Sequence, residues 1–227
     1  DRGYDIEFRQ SGSIAAIQSE EQYDYALKEV LELRSKGKYA EIISTKEAKS
    51  IEPEISDKMH GYIYYPLRGQ ADPIKATTAF ALEAQNLGTY IKVNESVNEV
   101  SSKSDGTFVI KTNEDLYTCN KLVIATGAWT NNLFKSLDLD IPIVPIRGQM
   151  WSSKSLPPNI FTAISATQSQ YDWNTDSTSD KNNPPELTHK DGKRITRHLY
   201  GRQRKNGEII FGGDRENIGF TEKVDFS

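Results

Sequence analysis

The sequence predicts a mixed α/β fold built from two interleaved parts, and three observations support this prediction. The middle of the chain, residues 69–146, places a helix-forming segment before short apolar segments, as α/β units do. One of these segments, Lys121–Ala125, is continuously apolar after its lysine, which is typical of a strand buried in a parallel sheet. The flanking residues 1–68 and 147–227 carry alternating polar and apolar residues and hairpin signals, which predict a mostly antiparallel sheet.

In residues 1–68, three segments are predicted to be strands. Tyr4–Gln10 alternates apolar and polar residues, and Gly12 separates it from the apolar segment Ser13–Ile17. Because these two segments are close in the chain, they are predicted to form a hairpin. Gly61–Tyr65 is the third predicted strand, and a proline ends it.

Two helices of the same part are predicted from their capping residues. Ser19 precedes the segment 20–36 and can accept from its free N–H groups, while Gly37 follows it and tolerates a left-handed conformation. Ser44 and Glu47 have the spacing of a capping box. This pattern predicts a second, shorter helix that opens at Ser44.

The middle part is predicted to begin with a helix at Asp72–Pro73. Aspartate accepts from free N–H groups, and proline has the φ angle of a first helical turn. The helix is predicted to end near Leu87, before Gly88. The predicted strands of this part are 90–93, 97–101, 107–112 and 121–125, with a turn at Asp105–Gly106. A helical segment is predicted from Trp129 to Leu137.

The last part contains a long polar insertion and a hairpin. Residues 152–194 are rich in Ser, Asn, Asp, Pro and Lys, which indicates an inserted loop or a lid. After the insertion, predicted strands at 197–203 and 208–213 are joined around Asn206–Gly207, the strongest two-residue hairpin signal.

Composition argues against several classes of function. The net charge of -4 and the pI near 5.5 argue against a nucleic-acid partner. No apolar run approaches the roughly 20 residues that span a bilayer, so no membrane span is expected. The chain has one cysteine, Cys119, and no signal peptide, which favour a reducing compartment. The predicted localisation is therefore cytoplasmic.

Metal and nucleophile chemistry is not expected. His60, His189 and His198 do not occur in an H-x-x-x-H pattern, and one cysteine cannot build a structural zinc site. The sequence contains no G-x-S-x-G motif. A locally basic cluster between Lys190 and Lys205 lacks the interleaved aromatic residues of a nucleic-acid site.

Five short segments occur in a fixed order over most of the chain: Gly12–Ala15, Gly69–Pro73, Leu122–Trp129, Pro145–Gln149 and Tyr200–Gly213. Together they resemble the D-amino-acid-oxidase-like family of FAD-dependent oxidoreductases, of the glycine oxidase and sarcosine oxidase type. The resemblance implies an FAD/NAD(P)-binding-type sheet portion in residues 69–146, interleaved with a substrate domain formed by residues 1–68 and 147–227. It also implies an enzyme that oxidises the C–N bond of an amino acid or secondary amine to an imine, with hydride transfer to FAD and dioxygen as acceptor.

The resemblance nominates cofactor-binding residues in the middle part. In the family, the turn that matches Ala125, Thr126 and Gly127 contacts FAD, and Trp129 follows in the same segment. A small residue and a glycine after a strand let the backbone approach a ligand, although a tight turn that admits only small residues has the same pattern. Val97 matches the strand whose backbone meets the adenine, or is an ordinary edge or core valine.

A second set of cofactor residues comes from the last part. Arg147, Gly148 and Gln149 match a segment where the chain crosses towards the flavin ring. A cation there would stabilise the negative charge of the reduced flavin, which makes Arg147 a candidate catalytic residue as well. The alternative interpretation is a surface arginine in a turn.

Tyr200 is the candidate substrate-binding and catalytic residue. It matches by spacing a tyrosine of glycine oxidase that faces the substrate, and its phenol would bind a carboxylate or orient an amine. The alternative is a half-buried tyrosine that packs on a strand. Arg202 and Arg204 alternate with Tyr200 and would share its face. They are candidate carboxylate ligands, but a solvated strand face is the expectation.

The sequence departs from the family in two places. It contains no G-x-G-x-x-G motif after a first strand, and the C-terminal part that supplies a substrate-carboxylate arginine in the family is not present. Because the first residue is Asp1 rather than methionine, we expect the native start to lie upstream. Two alternatives to an oxidase stay open: a non-catalytic scaffold or binding module, and a flavin dehydrogenase with another electron acceptor.

Overall fold

The computed structural model describes residues 2–139, 141, 143, 145–168, 171, 189–190, 193–196, 200–216, 219–220 and 223. It has the predicted mixed α/β fold, with a large mixed sheet and a separate three-stranded antiparallel sheet. The chain divides into two compact units: the first contains 1–80, 147–216 and 222–227, and the second contains 81–146 and 217–221.

The elements follow one another along the chain in this order: β1 Ser13–Ile17, α1 Glu20–Ser35, β2 Glu41–Ile43, α2 Thr45–Ile51, β3 Gly61–Tyr65, α3 Pro73–Asn86, β4 Val97–Ser102, β5 Phe108–Thr112, β6 Leu116–Cys119, α4 Thr130–Phe134, β7 Arg147–Ser155, β8 Ala163–Ala166, β9 His189–Lys190, β10 Lys193–Thr196, β11 Tyr200–Gln203 and β12 Glu208–Glu216. Single 3₁₀ turns at Gly127–Trp129 and Lys135–Leu137 flank α4.

The large sheet belongs to the first unit, and its strand order is β2-β3-β1-β8-β11-β12-β10-β9, with β7 also paired to β12. Within the described strands, β1 and β8 run parallel and the other neighbours run antiparallel. The strand β1 therefore lies inside the sheet, between β3 and β8.

Both faces of β1 are covered. Ala15 and Ile17 pack with Val30 of α1 and with Ile63 of β3. Ile14, the residue before Ala15, faces the opposite side of the sheet, in a cluster that includes residues of α2 and β3. Side chains alternate between the faces of a strand, so this apolar pentapeptide contributes to the hydrophobic core on both sides of the sheet.

The predicted hairpin between Tyr4–Gln10 and Ser13–Ile17 is wrong. Ser13–Ile17 is a strand, but its partners are β3 and β8, so no edge of β1 is left for the preceding segment. Tyr4–Gln10 runs outside the sheet apart from an isolated bridge, in which Arg9 and Gln70 exchange backbone hydrogen bonds of 2.9 and 2.8 Å.

The predicted helix starts are confirmed. The Ser19 hydroxyl accepts from the Gln22 N–H at 3.3 Å, and Ser44 and Glu47 form the complete capping box. At the start of α3, the Asp72 carboxylate accepts from the Lys75 N–H at 2.9 Å. Gly37, which follows α1, has a positive φ of 70°, as a left-handed helix end requires.

The second unit contains the β4–β5–β6 meander, which confirms the two predicted strands on either side of the Asp105–Gly106 turn. One carboxylate oxygen of Glu95 accepts from the hydroxyls of Thr112 and Tyr117, each at 2.7 Å. These hydrogen bonds, led by that from Tyr117, lower the pKa of Glu95 below its ordinary value.

The strands predicted at 90–93 and Lys121–Ala125 do not form. Among the described residues neither segment has a ladder partner, and the supposedly buried Val123 is 87% exposed. An apolar run becomes a strand only where a neighbouring strand can pair with its backbone. Apolar composition alone therefore misassigned both segments.

The predicted insertion 152–194 is shorter than expected. Its first residues complete β7, and β8 within it is an interior strand of the large sheet. Residues 169–170, 172–188 and 191–192 of the insertion, and 197–199 of the predicted hairpin, lie outside the described residues. The rest of the hairpin is confirmed, with β11 and β12 joined at a turn where Gly207 has a φ of +89°.

Candidate functional site

Tyr200 is half-buried at the start of β11, in the interior of the large sheet. It pairs with Ser165 of β8 on one side and with Gly212 of β12 on the other. Ser165 in turn pairs with Ala15 of β1, and Gly212 pairs with Met150 of β7. Directly paired residues share a face of a sheet, so these positions form one transverse row.

A cavity of about 340 Å³ lies beside Tyr200 in the first unit. Small residues of β1 and β8 form its floor, and larger side chains surround it; the lining includes Ser13, Ala15, Glu29, Tyr65, Arg68, Ala163, Ser165 and Tyr200. Ser13 is buried, and its hydroxyl oxygen has no hydrogen-bond partner among the described residues. The small floor residues thus leave a partly polar space next to the candidate substrate residue.

One wall of the cavity is a stacked arrangement of Arg68, Tyr65 and Glu29. The Tyr65 hydroxyl donates to the Glu29 carboxylate at 2.9 Å, and the Arg68 guanidinium carbon lies 3.4 Å from the Tyr65 ring centroid. Burial, followed by the Glu29 charge, raises the pKa of Tyr65. The phenol therefore stays neutral and is a hydrogen-bond donor at physiological pH.

Arg202 and Arg204 are not on a solvated strand face, contrary to the expectation. The Arg202 guanidinium donates to the Ala71 carbonyl at 2.8 Å, and Arg204 forms an ion pair with Asp72. The pKa of Asp72 is lowered, first by the Lys75 N–H and then by Arg204. The two arginines therefore fasten the Gly69–Pro73 segment to β11.

Glycine residues of the Tyr200–Gly213 segment have packing roles. A Cβ at Gly201 would lie 2.2 Å from the Phe211 ring, which covers this position across the strand pair. Phe211 also packs on Trp151, with ring centroids 5.1 Å apart. A Cβ at Gly212 would meet the Gln149 carbonyl at 2.5 Å. Both positions therefore exclude larger residues for reasons of packing.

Arg147, Gly148 and Gln149 form the start of β7, on the opposite edge of β12 from Tyr200. The Arg147 guanidinium donates to the backbone carbonyl of Lys223. Gln149 is next to the row that contains Tyr200, which places their backbones two strands apart, about 10 Å. The structure thus brings these four predicted site residues into one region of one sheet.

The other predicted site residues belong to the second unit. Ala125 and Thr126 are exposed, and a Cβ at Gly127 would have nothing within 4 Å. Trp129 is 59% exposed, with its ring centroid 5.9 Å from that of Phe220. The backbone of this turn is therefore open to the approach of a ligand. Val97 is 40% exposed at the start of β4.

The described residues include no group of three or more His, Cys, Asp or Glu side chains that could hold a metal ion. No helix within the same ranges is long and apolar enough to cross a membrane.

Sequence reasoning missed the residues around the cavity other than Tyr200. Ser13, Glu29, Arg68 and Ser165 come from four separate segments, and none lies in a catalytic motif. Two of these residues could have been found from the segments that carry the family resemblance. Arg68 directly precedes Gly69–Pro73, and Ser13 lies in Gly12–Ala15.

Comparison with known proteins gives a consistent result. The sequence profile of the DAO family, described as FAD dependent oxidoreductase, matches residues 1–227. Over 156 residues the chain is 26% identical to mitochondrial dimethylglycine dehydrogenase of Rattus norvegicus, a match that covers 68% of this chain and 18% of that protein.

Solved structures share the fold. Glycine oxidase from Geobacillus kaustophilus superposes with a TM-score of 0.78 at 21% identity, covering 99% of this chain and 52% of that one. L-proline dehydrogenase from P. horikoshii gives a TM-score of 0.78 at 22% identity, covering 99% and 54%. The chain thus spans about half the length of these structures.

Proposed function

This chain belongs to the DAO family of FAD-dependent oxidoreductases, and we propose that the protein containing it oxidises the C–N bond of an amino acid or secondary amine to an imine. The observation that carries the proposal is the family match over residues 1–227. When bound, FAD supplies the two-electron acceptor for the hydride that leaves the carbon bearing the amine. Dioxygen is the proposed final acceptor, which gives hydrogen peroxide.

The first set of cofactor residues that we propose is Val97, Ala125, Thr126, Gly127 and Trp129. The open turn at Gly127 supports this assignment. Their positions accord with the proposal that residues 69–146 are a segment of an FAD-binding domain.

From the first unit, Arg147, Gly148 and Gln149 are proposed to contact the flavin. A positive guanidinium at Arg147 would stabilise the charge that the ring gains on reduction. Residues 1–68 and 147–227 would then form the substrate domain.

Tyr200 is the proposed substrate-binding residue. It is half-buried, it borders the cavity of about 340 Å³, and its neighbours Ser165 and Gly212 are small. A phenol in this position can donate to a substrate carboxylate or accept from an amine. Orientation of the substrate, rather than acid–base catalysis, is the contribution proposed for this side chain.

A dehydrogenase is the second candidate function. Two similar proteins bear that name, one acting on dimethylglycine and one on L-proline. Such an enzyme would oxidise the same C–N bond, but the electrons would pass to another carrier instead of dioxygen. Membership of a flavoenzyme family favours either enzyme over a non-catalytic scaffold. The lone Cys119 supports the cytoplasm as the proposed compartment.

The first experiment is a visible absorption spectrum of the purified product of the parent gene, with its intact mass. We expect a flavin spectrum at a mass above the 25.6 kDa of these 227 residues. A protein without flavin, and without flavin binding on titration, would contradict the proposal. Amine-dependent peroxide release would identify an oxidase, whereas reduction of an artificial dye without peroxide would identify a dehydrogenase.

A further inference from the structure

The cavity beside Tyr200 has room for more than a small amino acid. Its volume is about 340 Å³, and one water molecule takes about 30 Å³ of the liquid, so the space holds a ligand of about ten non-hydrogen atoms. The floor is open because its side chains are short: Ser13 and Ala15 of β1, and Ala163 and Ser165 of β8. A ligand that occupies this space therefore extends from Tyr200 across β8 to β1.

The strand register places polar groups at opposite ends of this floor. Tyr200 pairs with Ser165 of β8. Ser13 pairs with Ala163, two residues before Ser165 on the same strand. Two strand spacings of about 4.8 Å and two residues of about 3.3 Å separate the backbones of Tyr200 and Ser13, which gives about 12 Å. The cavity thus has one polar end on β11 and another on β1.

The end on β1 contains a buried hydroxyl that lacks a hydrogen bond. Ser13 is only 6% exposed, and among the described residues its side-chain oxygen has no partner. A buried polar group without a hydrogen bond destabilises a folded protein. An unsatisfied hydroxyl that borders a cavity therefore indicates a molecule bound in that cavity.

Arg68 is held next to this hydroxyl. Ser13 pairs with Tyr65 of β3, so the two side chains lie on one face of the sheet. The Gly12 N–H donates to the Arg68 carbonyl at 2.9 Å, which joins the residue before Ser13 to the segment after β3. The Arg68 guanidinium carbon lies 3.4 Å from the Tyr65 ring centroid. A hydroxyl and a cation therefore border the same end of the cavity.

The Arg68 cation has no carboxylate partner among the described residues, since none of their ion pairs involves it. Glu29 is the other charged residue of the lining, and it accepts instead from the Tyr65 hydroxyl at 2.9 Å. The Tyr65 ring contacts one face of the guanidinium, whereas the five N–H donors of an arginine lie at its edge. Two of these donors match the two oxygens of a carboxylate.

We propose that this end of the cavity binds a carboxylate of the substrate, between the Arg68 guanidinium and the Ser13 hydroxyl. An apolar group there would leave the hydroxyl without a partner, whereas a carboxylate accepts from both side chains. Because Tyr200 at the other end is the proposed contact of the reacting amine, this carboxylate is distal to the amine. The substrate class is therefore an acidic amino acid or its N-alkyl derivative, an assignment that rests on the proposed function.

Equilibrium binding of two unreactive carboxylates tests the proposal without turnover. Glutarate and pentanoate have the same five-carbon chain, but only glutarate has a carboxylate at both ends. Calorimetry on the purified, flavin-loaded gene product measures their dissociation constants. We expect glutarate to bind at least about 10-fold more tightly, because hydrogen bonds to a charged group contribute roughly that factor. Equal dissociation constants, or no binding of glutarate, would overturn the proposal.

Three variants assign the preference to the guanidinium. Arg68→Gln should abolish the preference for glutarate over pentanoate, and Arg68→Lys should keep part of it, because lysine retains the charge without the paired donors. Lys28→Gln is the matched control, since it removes a positive charge from an exposed position of α1 outside the cavity lining. This control should keep the full preference. Equal losses in Arg68→Gln and Lys28→Gln would overturn the proposal.

Ser13→Ala separates a role in binding from a role in folding. It removes a hydroxyl that has no partner among the described residues, so the melting temperature of the unliganded protein should not fall. Glutarate should bind about 3-fold less tightly to this variant. Unchanged affinity would overturn the assignment of Ser13.

Turnover separates failure of this inference from failure of the proposed function. N-methylglutamate and N-methylnorvaline differ in the distal carboxylate, and we expect kcat/KM to be at least about 10-fold higher for N-methylglutamate. Equal oxidation of both amines would overturn the inference and leave the proposed function intact. Glutarate binding that depends on Arg68, in a protein that oxidises no amine, would support the anion site and contradict the proposed function.

Discussion

At the scale of single residues, the candidate site depends on how small side chains surround Tyr200. Ser165 and Gly212 pair with it on the two adjacent strands, and neither extends far from the sheet. The phenol therefore borders open space rather than a packed core.

Removal of this hydroxyl should lower catalytic efficiency. Tyr200→Phe keeps the ring and removes one hydrogen bond to the substrate, so we expect kcat/KM for the amine substrate to fall about 10-fold. Steady-state kinetics of the flavin-loaded enzyme measures this effect. Tyr64→Phe is the matched control, since Tyr64 is a half-buried tyrosine of β3 in the cluster on the opposite face. An unchanged kcat/KM in Tyr200→Phe would remove Tyr200 from the site.

The lowered pKa of Asp72 predicts sensitivity to acid. The Lys75 N–H and Arg204 favour the carboxylate in the folded state. A depressed folded pKa stabilises the protein above the ordinary aspartate pKa of about 4, and this stabilisation is lost as the pH falls through the folded value. We expect Asp72→Asn to flatten the decline in unfolding free energy below about pH 5.

Urea unfolding at a series of pH values measures this prediction. The control is Asp24→Asn, which changes an exposed aspartate of α1. In this variant the unfolding free energy should decline with falling pH as it does in the wild type. If Asp72→Asn loses stability as steeply as the wild type between pH 5 and pH 2, the ion pair with Arg204 does not control the acid response.

At the scale of elements, the β11–β12 hairpin is held by a glycine under an aromatic ring. We expect Gly201→Ala to lower the free energy of unfolding by about 1–3 kcal/mol, because its Cβ would overlap the Phe211 ring. Thermal unfolding measures the change. The double variant Gly201→Ala with Phe211→Leu should lose less free energy of unfolding than the sum of the losses in the two single variants, because the change to leucine relieves the clash. Strictly additive losses would mean that the ring does not constrain this position.

A buried carboxylate joins the end of α2 to the start of β8. Glu52 accepts from the Phe161 N–H at 2.9 Å and from the Thr162 hydroxyl at 2.7 Å, and also from the Thr162 N–H. Glu52→Ala leaves these donors buried without an acceptor, and we expect a loss of about 3 kcal/mol. Glu52→Gln retains one acceptor oxygen and should lose about 1 kcal/mol. Equal losses in urea unfolding would show that the donors do not depend on an acceptor at position 52.

At the scale of the whole molecule, FAD is expected to stabilise the protein by mass action. Addition of FAD at 100 times its dissociation constant should raise the free energy of unfolding by about 2.7 kcal/mol, because the cofactor binds the folded state. Thermal unfolding of the deflavinated gene product with and without FAD measures this effect. Riboflavin, which lacks the adenine proposed to contact Val97, should stabilise less at equal concentration. Equal stabilisation by both ligands would contradict the proposed adenine contact.

Local signals made much of the fold predictable. Ser19, Ser44 and Asp72 cap helices within three residues of themselves, and Asn206–Gly207 closes a hairpin between neighbouring strands. Such interactions involve a short stretch of chain, so the residue types alone determine them. The family resemblance also depended on short segments, and the family profile confirmed it.

The sequence did not predict which segments pair across long separations in the chain. Tyr4–Gln10 and Lys121–Ala125 have strand-like compositions, yet neither is a strand in this structure, because pairing depends on which edge of a sheet is free. The cavity beside Tyr200 likewise combines residues from β1, β8 and the segment after β3. The sequence by itself therefore determined the caps, the turns and the family, whose signals are local. Only the tertiary structure decided which strands pair and which side chains meet, because those contacts join residues as many as 194 positions apart.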